Sequence, residues 1–237
     1  TAVHPPVSGW LEVELDKQVI DFLWERVKEA KVSVKNKLAG NITESLDLED
    51  KDNFLLSNVL INCANAYADA FKFSRKKPIS LSSSNQLVVN GFWVNFQKKH
   101  EFNPMHDHGG LYSFVIWLKI PTKSKEQHNL DFLKGMEGAC ASNFEFTYND
   151  TIGGIASYPY FMDPELEGRM LFFPAQMKHA VHPFYECDED RISISGNLYY
   201  TSNASRLRTR FIALHQRMRR LTGVRASNYI IRLATFA

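Results

Sequence analysis

The chain predicts a β-sandwich or jelly roll behind two N-terminal helices, and three observations carry that reading. Apolar residues in the first 72 positions recur at helical spacing. After Pro78 the character changes to short runs rich in Val, Phe, Trp and Tyr, parted by turn residues. That strand-rich region lasts about a hundred residues, enough for one sandwich or jelly roll.

The elements follow in order. Asp16 can cap a helix that carries Val19, Ile20, Leu23, Val27 and Ala30 on one face. A polar loop with Gly40 and Asn41 comes next. Residues 53–72 predict a second helix with Leu56, Val59, Leu60, Cys63, Tyr67 and Phe71 inward. Strands are expected at 86–90, 92–98, 111–120, 143–148, 153–157, 169–173 and 191–200. Residues 121–142 and 158–168 are expected as long loops, of the kind that form lids or binding loops. Residues 1–204 therefore form one domain, with helices in 1–77 and the β core in 78–204. Residues 205–237 stand apart.

Composition narrows the function classes. The 237 residues suit one large domain or two small ones, and 44% hydrophobic content supports a sizeable core. No apolar run reaches membrane-spanning length and no signal peptide opens the chain, so a cytoplasmic setting without membrane partners is expected. Cys63, Cys140 and Cys187 are widely spaced and odd in number. They suit a reducing compartment and neither a disulfide framework nor a thiolate metal site. The sequon Asn41-Ile42-Thr43 carries little weight without a secretion signal.

The net charge of +2 conceals a division. Sixteen lysines and four arginines against twenty-six acids leave −6 on residues 1–204. Eight arginines with no lysine and no acid put +8 on residues 205–237. That segment reads as a basic amphipathic helix through Leu207, Phe211, Leu214, Met218 and Leu221, or as a tail foreign to the parent gene. Nucleic acid is not the expected partner, since charge alone gives only non-specific attraction.

The stretch NPMHDHGG, Asn103 to Gly110, is the most chemical in the chain. In an extended segment His106 and His108 face one side and Asp107 the other. Neutral imidazole is a common ligand for zinc and iron. A third ligand must come from elsewhere; His179 and His182 in FFPAQMKHAVHP are the candidates, and His179 shares a face with Val181. His100, His128 and His215 lack partners and are expected in solvent. Arg191 and Ser193 lie on one face of an expected strand. By the same alternation, Asn95 and Gln97 are candidate polar lining groups. Ser113 and Trp117 share a face, and Asn197 continues the face of Arg191.

The segments FWVNFQKKHEFNPMHDHGGLYSFVIWLKIP and MLFFPAQMKHAVHPFYECDEDRISISGN resemble the two halves of the core of Fe(II)/2-oxoglutarate-dependent oxygenases. They look most like a prolyl-hydroxylase-like branch, bacterial or phage-encoded, with an HxH first motif. The resemblance covers about residues 85–200. It implies a double-stranded β-helix, a jelly-roll or cupin-like fold, with Fe(II) at one mouth, held by His106 and His179. It implies that Arg191, helped by Ser193, binds the distal carboxylate of 2-oxoglutarate, and that dioxygen is consumed. The products would be succinate, carbon dioxide and a hydroxylated peptidyl or small-molecule substrate. If phage-encoded, the protein would act in a host cytoplasm.

The chain departs from the commoner family pattern, which places a carboxylate where His108 stands. Three readings are open: a three-histidine iron site of His106, His108 and His179; Asp107 swinging in to replace His108; or a degenerate site or another metal such as zinc. A competing function is a cupin-like three-histidine metalloprotein that does not use 2-oxoglutarate. The direction of the Arg191 side chain separates the two.

Overall fold

The computed structural model describes residues 9–71, 86–150 and 152–201. Contacts divide the chain into a unit of residues 1–79 and 87–199 and a second of 80–86 and 200–237. All that follows concerns the first unit, apart from the ends of two strands. The expected Arg-rich helix lies outside the described residues. No helix among the described residues is long and apolar enough to cross a membrane.

Helix α1 (Lys17–Glu29) begins where Asp16, in extended backbone, accepts the Val19 N–H at 2.9 Å. Its buried face carries Val19, Leu23 and Val27. Leu23 is fully enclosed, so truncating it to Ala would cost about 2–5 kcal/mol. A second cap is the Asp50 carboxylate, which accepts the Leu55 and Leu56 N–H groups at 2.8 and 2.9 Å. There the expected single helix divides. A π-helical turn, Leu56–Leu60, leads into α2 (Ile61–Phe71). The wide turn keeps Leu56, Val59, Leu60 and Cys63 on the buried side.

Among the described residues, ten strands run in chain order as β1 (Leu11–Glu14), β2 (Glu44–Asp47), β3 (Gln86–Gln97), β4 (Asn103–His106), β5 (Tyr112–Lys119), β6 (Phe144–Asn149), β7 (Ile155–Tyr160), β8 (Arg169–Pro174), β9 (Lys178–Val181) and β10 (Arg191–Thr201). They form a six-stranded sheet in the order β1-β8-β5-β10-β3-β2 and a four-stranded sheet in the order β4-β9-β6-β7. This is the jelly roll that the alternating runs predict. Strand β5 shows how the layers arise. Phe114, Ile116 and Leu118 turn to the helices and join a core with Leu23, Leu60 and Tyr67. Val115 and Trp117 turn the other way, to Phe144, Phe146 and Tyr160 of the small sheet.

Several expectations need correction. The runs 86–90 and 92–98 are one strand, bent at Gly91, whose φ of 92° a side chain would strain. Strand β7 extends to Tyr160 because Tyr158 and Tyr160 pair with Phe146 and Phe144, so the second loop starts only at Phe161. The first loop holds a short helix, α3 (Ser124–His128), tied to the second loop through Asp163, which accepts the Ser124 N–H and hydroxyl at 2.7 and 2.8 Å. Strands β1, β2, β4 and β9 are four residues each and were not expected.

Candidate metal centre and its two pockets

Strands β4 and β9 pair so that His106 stands opposite His179. The chain leaves β4 after His106, and His108, two residues on, returns to the same side. Its Nε2 lies 3.2 Å from that of His179. One ligand nitrogen from each of the three residues falls within 4.8 Å of the others. The tautomers of two rings follow from their partners. His106 Nδ1 donates to the Pro104 carbonyl at 2.7 Å, and His179 Nδ1 to the Met177 carbonyl at 2.9 Å. A carbonyl only accepts, so each Nε2 carries a lone pair.

Burial, then the neighbouring His106, pushes His179 down to about 3 and His108 to about 4. Burial likewise lowers His106. All three are neutral at pH 7, as metal ligation requires. His108 Nε2 either donates to the His179 lone pair or, in the other tautomer, shares a cation with it. Two nitrogens about 2.1 Å from one ion, near a right angle, are about 3 Å apart, close to the separation of His108 and His179. The residues therefore fit a metal ion.

Asp107 faces away, as alternation predicts. Its carboxylate is 2.6 Å from Lys178 Nζ, and that hydrogen bond lowers its pKa. His182 is half-buried, with Nε2 3.9 Å from Glu145, and is not part of the group. His128, expected in solvent, is instead half-buried against the Ala141 carbonyl and Asn143.

Arg191 is 1% exposed. It donates to the Ser142 hydroxyl and, at 3.5 Å, to Gln97 Oε1; its Nε has no partner. The guanidinium sits over the Phe184 ring, 5.1 Å from its centroid. Among the described residues it has no acidic partner. Its acidic neighbours in sequence point outward: Asp188 pairs with Lys99 and Glu189 with Lys119. Burial lowers its pKa, yet it stays protonated at neutral pH.

Two spaces meet at the histidines. The inner pocket is bounded by His106, His108 and His179 and by Arg191, Ser193 and Trp117, with Asn95, Gln97 and Val181 among its other walls. Its free volume is about 30 Å³, so a dicarboxylate enters only if side chains give way. The outer cleft, about 800 Å³, opens in front of His106 and His108. Ser113 lines neither; its hydroxyl donates to Asn197 Oδ1 at 2.7 Å, and Asn197 lines the outer cleft.

Sequence reasoning missed Ser142 on Arg191 and the wall of the outer cleft. That wall is the segment 34–53, with Val34, Lys37, Ile42, Asp47 and Asn53. No residue of the loops 121–142 or 158–168 lines the outer cleft. The segment is fastened across β4: Asn41 N–H donates to the Phe102 carbonyl at 2.8 Å, and Thr43 N–H to Glu101 at 3.0 Å. No periodic pattern marks it; the only sequence signal was its run of polar residues.

Several solved structures are similar. A prolyl-4-hydroxylase of Pseudomonas putida is 13% identical, with 81% of this chain and 92% of that chain covered at a TM-score of 0.44. A collagen prolyl hydroxylase of Paramecium bursaria Chlorella virus-1, in complex with 2-oxoglutarate, is 11% identical over 80% and 94%, at 0.45. HygX of Streptomyces hygroscopicus, with nickel and 2-oxoglutarate bound, is 9% identical over 81% and 83%, at 0.44. No curated protein matches in sequence. Residues 91–197, somewhat under half of the chain, match the family described as putative 2OG-Fe(II) oxygenase. The matched stretch holds all three converging histidines and Arg191. By that match residues 91–197 are similar to the Fe(II)/2-oxoglutarate-dependent oxygenases, enzymes that work with Fe(II), 2-oxoglutarate and dioxygen.

Proposed function

We propose that the protein hydroxylates a peptidyl substrate, with His106, His108 and His179 holding Fe(II) and Arg191 anchoring 2-oxoglutarate. The observation that carries this reading is a fully buried guanidinium, with no acidic partner among the described residues, in the same pocket as three neutral imidazoles. A guanidinium meets a carboxylate through two parallel charge-assisted hydrogen bonds. A buried cation with only neutral partners favours an anionic ligand strongly. The outward pairing of Asp188 and Glu189 disfavours the reading without 2-oxoglutarate.

With Fe(II) and 2-oxoglutarate bound, dioxygen gives one oxygen atom to the substrate C–H bond and one to succinate, and carbon dioxide leaves. The chain's residues position these partners. His106 and His179 keep their Nε2 lone pairs aimed inward because their Nδ1 protons are committed to carbonyls. His108 supplies a neutral third nitrogen where a carboxylate is commoner, which leaves the site more positive. Lys178 holds Asp107 out of the site. Arg191 and Ser193 take the distal carboxylate, and Trp117 walls the pocket. The outer cleft receives the substrate, a prolyl group being one candidate target by analogy.

Anaerobic Fe(II) titration with and without 2-oxoglutarate tests this. The two together should give a visible charge-transfer band that neither gives alone. Iron uptake without that band on adding 2-oxoglutarate would overturn the role of Arg191.

A further inference from the structure

We infer that Asn95 and Asn197 read the primary substrate, and that this substrate is an extended peptide rather than a single small molecule. The inference rests on the oxygenase reading, because it takes the cleft in front of the histidines as the substrate's place.

Two side-chain pairs of the same kind carry it. Asn95 on β3 stands directly across from Ser45 on β2, and Asn197 on β10 directly across from Ser113 on β5. In each pair the serine hydroxyl donates to the carboxamide oxygen, at 2.7 Å both times. The oxygen being taken, each amide NH₂ is turned outward as a donor. Neither NH₂ has a partner among the described residues, and both asparagines line the cleft. Asn95 is 5% exposed. An NH₂ in the cleft wall whose protons no protein group accepts offers them to a ligand carbonyl.

Their spacing selects the ligand. The Asn197 amide lies against Gly91, where an added Cβ would stand 3.5 Å from its nitrogen. Asn95 is four residues further along β3, or about 13 Å at about 3.3 Å per residue. A single amino acid cannot span that distance. Alternate carbonyls of an extended peptide recur at about 6.6 Å on one side, so two repeats match it. Gly91, lacking a side chain, leaves room for a backbone to approach beside the Asn197 amide, at one end of that span. Asp47, Glu49 and Asp50 against Lys35 and Lys37 line the same cleft, which disfavours a phosphate backbone.

Capped ten-residue peptides of randomised sequence, compared with capped single amino acids, test the inference. With Fe(II) and 2-oxoglutarate, the decamers should raise succinate release above the level without peptide, and the single amino acids should not. In the metal-free protein the decamers should slow amide hydrogen exchange in β3 and β10. Asn197→Asp is isosteric and can still accept from Ser113, so the fold is kept while the donor is lost. It should raise KM for the decamers about tenfold, equivalent to about 1.4 kcal/mol, with kcat within about twofold. Equal stimulation by single amino acids, or an unchanged KM in Asn197→Asp, would overturn the inference. A protein that takes up iron but never forms succinate overturns the oxygenase reading instead, and the exchange measurement then judges the peptide site alone.

Discussion

The inner pocket and the outer cleft meet at His106 and His108 but come from different kinds of chain. The inner pocket is built mostly on paired strands: β4 and β9 present His106 and His179, with His108 just past the end of β4, β10 presents Arg191 and Ser193, and β5 presents Trp117. The outer cleft owes one wall to strands β3 and β10 and the other to segment 34–53, which holds only the short β2 and brief 3₁₀ turns. Chemistry that must be held to fractions of an ångström thus sits on the sheet ladders. On the proposed reading, selection of the substrate sits partly on irregular backbone, which can change without breaking those ladders.

Four experiments separate the two regions, taken here from the largest expected effect to the smallest. His179→Ala should abolish Fe(II) uptake, measured by metal analysis after anaerobic loading; stoichiometric iron would remove this residue from the ligand set. Arg191→Met keeps an unbranched apolar stem and removes the charge. It should weaken 2-oxoglutarate binding about a hundredfold while sparing the metal, read by titration of the iron-loaded protein. Parallel loss of iron would mean that the inner pocket had collapsed as a whole.

The third experiment is acidification of the metal-free protein. His179, His108 and His106 have folded pKa values below their unfolded value near 6.5. The unfolded chain therefore binds more protons in that window, and stability falls as pH drops from about 6.5 toward 4. The urea midpoint should be lower at pH 5 than at pH 7 and flat from pH 7 to 8. An unchanged midpoint at pH 5 would show that the imidazoles are not buried in neutral form. The smallest effect belongs to the outer cleft. A Cβ at Gly40 would lie 2.0 Å from Asn103 Oδ1, so Gly40→Ala must displace the Asn103 amide or the strap beside it. Substrate KM should change several-fold with iron stoichiometry intact; lost iron would show that the two regions are not separable.

The same contrast explains what was legible in the sequence. The long strands announced themselves through alternation, and β5 obeys it residue by residue. The HxH spacing placed His106 and His108 on one side because period two is a property of extended backbone. His179 was separable from His182 for the same reason. Strands β1, β2, β4 and β9 escaped because four residues hold too few alternations to stand out. Ser142 escaped because a lone serine in a loop carries no period, and its partner lies 49 residues away. Segment 34–53 escaped because its role depends on a long-range crossing of β4 through Asn41 and Phe102. The two loops that looked like lids were weighed by length alone, which says nothing about direction.

Strand β10 belongs to both regions at once. Arg191 and Ser193 bound the inner pocket, while Asn197 and Tyr199 of the same strand line the outer cleft. Ile194 and Leu198 on its reverse face are fully enclosed among the helices. A one-residue slip would drive the guanidinium into that oily layer and turn isoleucine toward the polar side, so no intermediate alignment is tolerable. Anyone re-targeting this scaffold should leave that strand untouched and graft new sequence between residues 34 and 43, where the backbone can be rebuilt without moving the anchor.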